Sequence, residues 1–459
     1  MDRVRIIGIV LALQTMAVAA ASAERARPNV VYFLVDDLGA QDCGFSGGKE
    51  IKTPHIDKLA AEGCTLTAFY AQPLCSPTRA ALLTGRYPMR YGLQVGVVRP
   101  WATYGLPVEE KTLADDLLAA GYATGLFGKW HLGFSSPDYR PLRRGFVKQY
   151  GHYNGAIDYF THERDGGLDW HEDEQPLHEA GYSTALIGKH AAQFARDHAG
   201  RKPFFLYVPF NAVHDPYQPP RGGGRDYSDL QGNRRKYAAM LTATDQAIGE
   251  VVDSVESAGV RSNTLFIFSS DNGGPSPGRI TDNGNYRGGK RELYEGGVRV
   301  AAFATWDGQI PAGTTNNEPM HIVDWRPTLQ KLCGADPGGD LPMDGLDVWP
   351  TLVQSAPSPH DAILLNSAPR EAAVRAGDWK LIVRSGVGVR ATRRNVETVQ
   401  LFDLRNDPYE KSNLATERPE KVQELQEILA VYADQAVPPK GGPRPDSFTV
   451  PTVWGEFEE

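Results

Sequence analysis

Asn29-Val-Val-Tyr-Phe-Leu-Val35 is a short unbroken apolar run that ends on two acids, Asp36-Asp37. A strand covered on both faces has this pattern, because neither of its sides meets water, and such strands belong to parallel sheets flanked by helices. Two further runs repeat the design. Thr264-Leu-Phe-Ile-Phe-Ser-Ser270 ends in Asp271-Asn272-Gly273-Gly274, and residues 203–210 (PFFLYVPF) lead into Asn211-Ala-Val-His214. Between these runs, apolar residues recurring three and four positions apart predict helices over residues 54–62, 113–120 and 237–258. Strands alternating with helices predict an α/β fold with a large, mostly parallel sheet. Ligands of such sheets bind beyond the carboxyl ends of the strands, so the three polar exits nominate one pocket.

Composition narrows the class. The 459 residues are 41% hydrophobic, with 48 Gly, 33 Pro and 4 Cys, which excludes a disordered, collagenous or disulfide-stapled chain. A net charge of -8 without any basic run excludes a nucleic-acid binder, which needs excess Lys and Arg to neutralise phosphates. Residues 24–355 read as one large domain. From about residue 356 the texture changes: residues 379–383 and 399–404 read as hairpin strands and 417–436 as a closing helix. Residues 356–459 are therefore expected to form a small C-terminal α+β domain with an extended tail. Residues 1–23 read as an export signal, with Arg3 and Arg5, an apolar stretch over 6–20 and a small-residue cleavage site at Ala21-Ser22-Ala23. Gln14 and Thr15 interrupt that stretch, which falls short of the ~20 apolar residues of a membrane span. No stable membrane anchor is expected, and the lack of any Asn-x-Ser/Thr sequon favours a bacterial periplasmic or secreted protein.

Asp36, Asp37, Asp271 and Asn272 bring hard oxygen donors to the strand exits, a set that suits Ca²⁺ or Mg²⁺, calcium first, over a transition metal. Carboxylates held this close repel one another, so the set needs a cation. Cys43, Cys64, Cys75 and Cys333 include no C-x-x-C pair, which argues against a zinc or dithiol centre; a Cys43–Cys64 bridge stays open. In Leu74-Cys-Ser-Pro-Thr-Arg-Ala-Ala-Leu-Leu-Thr-Gly-Arg86, Ser76 is suited to cap a helix and Pro77 to open it. Cys75 is then expected just before a helix N-terminus, an end that attracts anions, with Arg79 on the first turn. In Gly128-Lys-Trp-His-Leu-Gly133, Lys129 and His131 stand two residues apart and share a face if the segment is extended.

The C-x-P-x-R run with its following Thr-Gly-Arg, together with the Gly-Lys-Trp-His segment, resembles the type I sulfatases of the alkaline phosphatase superfamily. The likeness covers residues 29–436 and includes Asp403-Leu-Arg-Asn-Asp-Pro408 with Asn413-Leu414. It implies an alkaline-phosphatase-like fold and hydrolysis of a sulfate ester, on a sugar or an aryl sulfate. It also implies that a maturation enzyme oxidises Cys75 to formylglycine, whose hydrated aldehyde is the nucleophile. One hydroxyl then attacks sulfur, and deprotonating the other expels sulfate. By the same resemblance one Ca²⁺ binds Asp36, Asp37, Asp271, Asn272 and the oxygen at position 75, while Arg79 orients the nucleophile. Lys129 holds the formylglycine hydroxyl and sulfate, and His131 is the base. His214, in Asn211-Ala-Val-His-Asp-Pro216, and Lys290, in Arg287-Gly-Gly-Lys-Arg-Glu-Leu-Tyr-Glu-Gly-Gly297, contact sulfate, one of them protonating or stabilising the leaving alkoxide. Gln72-Pro-Leu-Cys75, Arg143-Arg-Gly-Phe146 and Tyr159-Phe-Thr-His-Glu-Arg164 are most similar to the arylsulfatase B (N-acetylgalactosamine-4-sulfatase) branch.

Other features carry less. The Gly-rich stretch after Arg287 lacks the order of a phosphate-binding loop. Residues 120–129 (AGYATGLFGK) and 180–189 (AGYSTALIGK) are similar, and Lys189 and His190 are read as decoys of Lys129. Residues 150–170, rich in Tyr, His, Asp and Trp, suit either stacking on a sugar or an aromatic-packed insert. A phosphoric mono- or diester hydrolase of the same superfamily and a catalytically idle sugar-binding homologue are the rival functions.

Overall fold

In a computed structural model describing residues 27–222, 227–336, 339, 341–385 and 397–456, every side chain of β1 (Asn29–Val35) is buried. Successive residues of a strand point to opposite faces, so Val30, Tyr32 and Leu34 join one apolar cluster and Val31, Phe33 and Val35 another behind the sheet. The remaining strands of that sheet are β2 (Cys64–Leu66), β3 (Ala123–Lys129), β4 (Lys148–His152), β5 (His171–Glu172), β6 (Gln175–Pro176), β7 (Phe204–Pro209), β8 (Thr264–Ser270), β9 (Ala302–Thr305) and β10 (Thr314–Asn316). Their order is β10-β2-β9-β8-β1-β7-β3-β4-β5-β6. The central five, β8 to β4, run parallel. Antiparallel pairings enter only toward the edges, at β9 and at β5 and β6.

Helices cover both faces. On the first lie α2 (Cys75–Thr84), α3 (Leu113–Ala119) and α6 (Trp325–Cys333), through Leu83, Leu117 and Leu329. On the second lie α1 (Pro54–Ala61), α4 (Ser183–His198) and α5 (Gly232–Ser257), through Ile56, Ile187 and Val251. This is the α/β fold expected from the sequence. The helix predicted over residues 237–258 starts five residues earlier, at Gly232.

A separate antiparallel sheet follows, with β11 (Ile363–Ala368), β12 (Glu371–Ala376), β13 (Trp379–Ser385) and β14 (Glu397–Asp403) in sequential order. The two strands read from the sequence pair with each other, Trp379 opposite Asp403. One face of this sheet meets α7 (Pro419–Ala433) through Leu425 and Leu429. The other packs Ile363, Leu365, Ile382 and Phe402 onto Tyr70, Leu293 and Val298 of the larger unit.

Two sequence readings change. All four cysteines are buried and free, and Cys43 and Cys64 lie in clusters on opposite faces of the large sheet, so they do not bridge. The similar decapeptides fold differently. Residues 123–129 form β3, whereas Ser183 opens α4, leaving Lys189 exposed and His190 stacked 3.9 Å from the Tyr150 ring. No helix among the described residues is long and apolar enough to cross a membrane, and the segment read as an export signal lies outside the described residues.

His321 is fully buried beside Gln72, and burial, with His360 adding to it, pushes its imidazole down to about 3. The unfolded chain therefore binds a proton at this site between about pH 6.5 and 3 that the folded chain refuses, so stability falls as pH falls through that window. Urea unfolding at pH 6.5, 5.5 and 4.5 is expected to show a loss of up to about 1.4 kcal/mol per pH unit from this residue, absent in His321→Asn. An unchanged slope in the variant contradicts a neutral, buried His321.

Candidate active site

The carboxyl ends of β1 and β8 are flush, with Val35 paired to Ser270, so Asp36 and Asp271 leave the sheet side by side. Consecutive residues of an extended chain point apart, yet both Asp36 and Asp37 face the pocket. Asp37 achieves this by adopting left-handed backbone (φ 61°), held by its N–H donating to Asp271 Oδ1 at 3.2 Å. Such backbone is uncommon outside glycine and concentrates at functional sites.

Helix α2 brings the next groups. Cys75 is its first residue, with Leu74 as the N-cap, so Ser76 does not cap the helix as its sequence suggests. Instead the Ser76 hydroxyl donates to the His131 carbonyl (2.8 Å) and accepts from Val98 N–H (3.0 Å), fastening the helix start to the His131 loop. Cys75 Sγ lies 3.4 Å from Asp36 Oδ1 and 3.5 Å from Asn272 Oδ1. One turn on, Arg79 lies on the same helix face. It donates to Asp271 Oδ2 and to the Lys129 carbonyl, each at 3.0 Å, and sits 3.4 Å from Asp36 Oδ2.

Lys129 is the last residue of β3 and its ammonium binds Asp36 Oδ2. His131 follows beyond the strand with left-handed backbone (φ 57°), its N–H donating to Tyr153 O. A turn, not the alternation of an extended segment, therefore brings Lys129 and His131 to one pocket. The His131 ring sits against Gly155, where a Cβ would lie 2.4 Å from Cε1. Lys290 binds both oxygens of Asp37 (2.7 and 2.8 Å), and His214 Nε2 is 3.6 Å from Asp37 Oδ2. Asn272 Nδ2 donates to Asp37 Oδ1 at 2.8 Å. All the candidate residues thus converge. Lys189 and His190 remain apart.

Burial and neighbouring charge together set the ionisation states. Burial alone raises a carboxyl, but the Lys290 ammonium and His214 outweigh it and hold Asp37 below the usual carboxylate range. Asp271 goes the other way, to about 6, because burial and the neighbouring Asp36 outweigh Arg79 and Lys129. Burial, then Lys129 and Arg79, hold His131 well below its ordinary value, and burial lowers His214 to about 4 against the pull of Asp37. Burial with Asp271 and Asp36 pushes the Cys75 thiol far up, so it is protonated.

Three residues were not legible as part of the site. Tyr159 donates to the carbonyls of Asn211 (2.9 Å) and His214 (2.7 Å), fixing the His214 loop. Asp169 accepts from the N–H groups of Tyr153 and Asn154 and so braces the turn that holds His131. Ser76 is the third. Residues 150–170 resolve as the packed insert: Tyr150, Tyr153, Tyr159 and Trp170 are all buried, with Trp170 stacked on His162 at 4.4 Å.

A buried nest of carboxylates balanced by fixed cations, at the carboxyl ends of a parallel sheet and touching the first residue of a helix, defines an ester hydrolase of the alkaline-phosphatase-like fold that handles oxyanions. The chain belongs to the sulfatase family, whose model, described as Sulfatase, matches residues 28–335, and it is a sulfuric ester hydrolase. It is 35% identical to arylsulfatase J of Mus musculus over 95% of this chain and 81% of that protein. It is 34% identical to the N-acetylgalactosamine-6-sulfatase of the same organism over 75% and 70%. Among solved structures, Ps i-CgsB in complex with k-i-k-neocarrahexaose superposes with a TM-score of 0.81 at 29% identity, over 90% of this chain and 94% of that one.

Gly155→Ala places a methyl group on the His131 ring, and displacing any group that takes part in a reaction by about 1 Å costs on the order of 100-fold in turnover, so the variant tests whether His131 is such a group. The expected result is a loss of that size in kcat on an aryl sulfate with the melting temperature largely retained. Unchanged kcat would remove His131 from the chemistry.

Proposed function

We propose that this exported enzyme hydrolyses sulfate esters of carbohydrates through a formylglycine at position 75 and one bound Ca²⁺. The observation that carries the reading is the clustering of candidate ligand atoms of Asp36, Asp37, Cys75 and His214 within 4.8 Å of one another, with Asn272 Oδ1 beside the same sulfur. The donor set fits the ion: Asp36, Asp37, Asp271 and Asn272 offer oxygen, which suits calcium, whereas the His214 imidazole suits it less and is assigned to sulfate. When bound, the cation supplies charge to polarise a sulfate oxygen and to hold the oxygen at position 75. As a hydrated aldehyde, the residue supplies an attacking hydroxyl and a second hydroxyl whose deprotonation releases sulfate.

The chain's own residues divide the remaining work. Arg79 balances Asp36 and Asp271 and orients position 75, and Lys129 reaches the same edge of Asp36. His131 Nε2 lies 3.1 Å from Val98 O; assigning the proton to that nitrogen leaves Nδ1, which has no partner among the described residues, with a free lone pair. Held neutral by burial and by its cationic neighbours, it is the base for the second hydroxyl. Lys290 and His214, on the Asp37 side, are assigned to the sulfate and the leaving alkoxide, on the support of their contacts with Asp37.

The sugar preference draws support from the relative named for N-acetylgalactosamine 6-sulfate and the structural neighbour seen with a neocarrahexaose. Galactosamine 4- and 6-sulfates and carrageenan oligosaccharides are the substrates to assay first.

Mass spectrometry of the peptide containing residue 75, from protein made with a formylglycine-generating enzyme, is expected to show an aldehyde in place of the thiol. Asp271→Ala is expected to abolish both calcorimetric calcium binding and turnover. Activity that survives exhaustive chelation overturns the metal assignment, and a higher kcat/KM on 4-nitrophenyl phosphate than on 4-nitrophenyl sulfate overturns the substrate class.

A further inference from the structure

The run from Asp403 to Leu414 has no part in the chemistry above, although it belongs to the sequence likeness. It folds as a closed loop. The Asp403 carboxylate accepts from the N–H groups of Arg405 (3.1 Å) and Asn406 (3.3 Å), and Asp407 accepts from Ser412 N–H at 2.8 Å. Asn413 Oδ1 accepts from Leu401 and Ala415 N–H (2.9 and 3.0 Å). The loop turns Glu410 inward on left-handed backbone (φ 56°), where it is fully buried.

There Glu410 meets the segment that carries Lys290. Its Oε2 accepts from Glu295 N–H at 2.6 Å, and its carbonyl accepts from Arg287 Nη1 at 2.9 Å. Lys380 of β13, itself fully buried, lies 2.8 Å from Glu295 Oε1 and 2.9 Å from Glu410 Oε1. Glu295 Oε2 accepts from the Tyr70 hydroxyl (2.8 Å), which in turn accepts from Arg375 of β12 (2.5 Å). Two carboxylates and their cations are thus sealed between the C-terminal sheet and the stretch from Arg287 to Glu295. Buried charges of this kind hold a geometry, because each loses its compensation if its partner moves.

The same stretch is stitched to the active site on its other side. Lys290 N–H donates to Gly274 O (3.3 Å), two residues beyond Asn272, and Arg291 N–H donates to Pro73 O (2.9 Å), two before Cys75. Gly273 N–H donates to Gly297 O at 3.0 Å, an approach so close that a Cβ on Gly273 would lie 1.8 Å from Gly296 O.

We propose that Glu410, Lys380 and Arg287 are positioning residues: the C-terminal sheet, through the buried Glu295–Lys380–Glu410 cluster, sets where the Lys290 ammonium stands. The proposal rests on the assignment of Lys290 to sulfate made above. It makes the C-terminal sheet a working part of the sulfate pocket.

The test is a mutant cycle on the mature, calcium-loaded enzyme, reading kcat/KM on 4-nitrophenyl sulfate and the inhibition constant of free sulfate. Glu410→Gln keeps an acceptor for Glu295 N–H but removes the charge; Arg287→Ala cuts the tie at the exposed end. Each is expected to lower kcat/KM by about 10- to 100-fold and to weaken sulfate inhibition in parallel. Combined with Lys290→Ala, either is expected to cost less than about 2-fold more, since it acts through a group already gone. Should Glu410→Gln fail to fold, Arg287→Ala carries the same comparison. Losses that multiply undiminished in the Lys290→Ala background, or single variants within about 2-fold of the parent, overturn the proposal. A Lys290→Ala enzyme with the parent's activity and sulfate inhibition overturns the assignment of Lys290 itself, and the proposal with it.

Discussion

Mutual repulsion among Asp36, Asp37 and Asp271 is the constraint on which this active site is built. Three carboxylates in a pocket closed to water are unstable by themselves, and the fold answers with side chains whose charges cannot drift. Arg79 is held by its helix and spans two of the acids, Lys129 ends a central strand on the first, and Lys290 grips the second. The balance is uneven by design of the surroundings: Asp37, facing Lys290 and His214, is held firmly ionised, while Asp271 next to Asp36 is drawn up to about 6. A cation added to this nest meets acids already gathered, so little rearrangement is required of the protein.

How much of this was readable in the chain depends on the kind of force involved. Continuous apolar runs ending in acids announced the central strands, because burial on both faces leaves no room for polar alternation. Cys75, Arg79, Lys129 and His131 were found by motif; Lys129 and His131 meet the acids at strand exits, and Cys75 and Arg79 are brought there by the start of α2. The manner of that convergence was not readable. Left-handed backbone at Asp37 and His131 depends on hydrogen bonds that their N–H groups donate to the Asp271 carboxylate and the Tyr153 carbonyl, acceptors elsewhere in the chain. Ser76 looked like a helix cap by local chemistry, yet its hydroxyl serves two segments that only the folded state brings near. The aromatic stretch over residues 150–170 could not be decided, since Tyr and His read alike whether they stack on a sugar or on one another.

Near-identical decapeptides make the same point more sharply. One becomes the strand that ends at Lys129, and the other becomes part of α4 with Lys189 in solvent. Their composition is compatible with both states. What differs is the company: the first is flanked by β7 and β4, while the second continues into an amphipathic run that packs against the sheet. Tertiary context overrides local preference here, as it does for any short sequence of mixed propensity.

The pairing of Val35 with Ser270 has a final implication. Because Asp36 and Asp271 each follow the same rung on two neighbouring strands, their separation is graduated by the sheet itself. A slip of a single residue would displace one acid by about 3.3 Å and turn its neighbours inside out. The sheet acts as a ruler, and its smallest division is coarser than any error the pocket tolerates, so the two acids are either in register or not presented together at all.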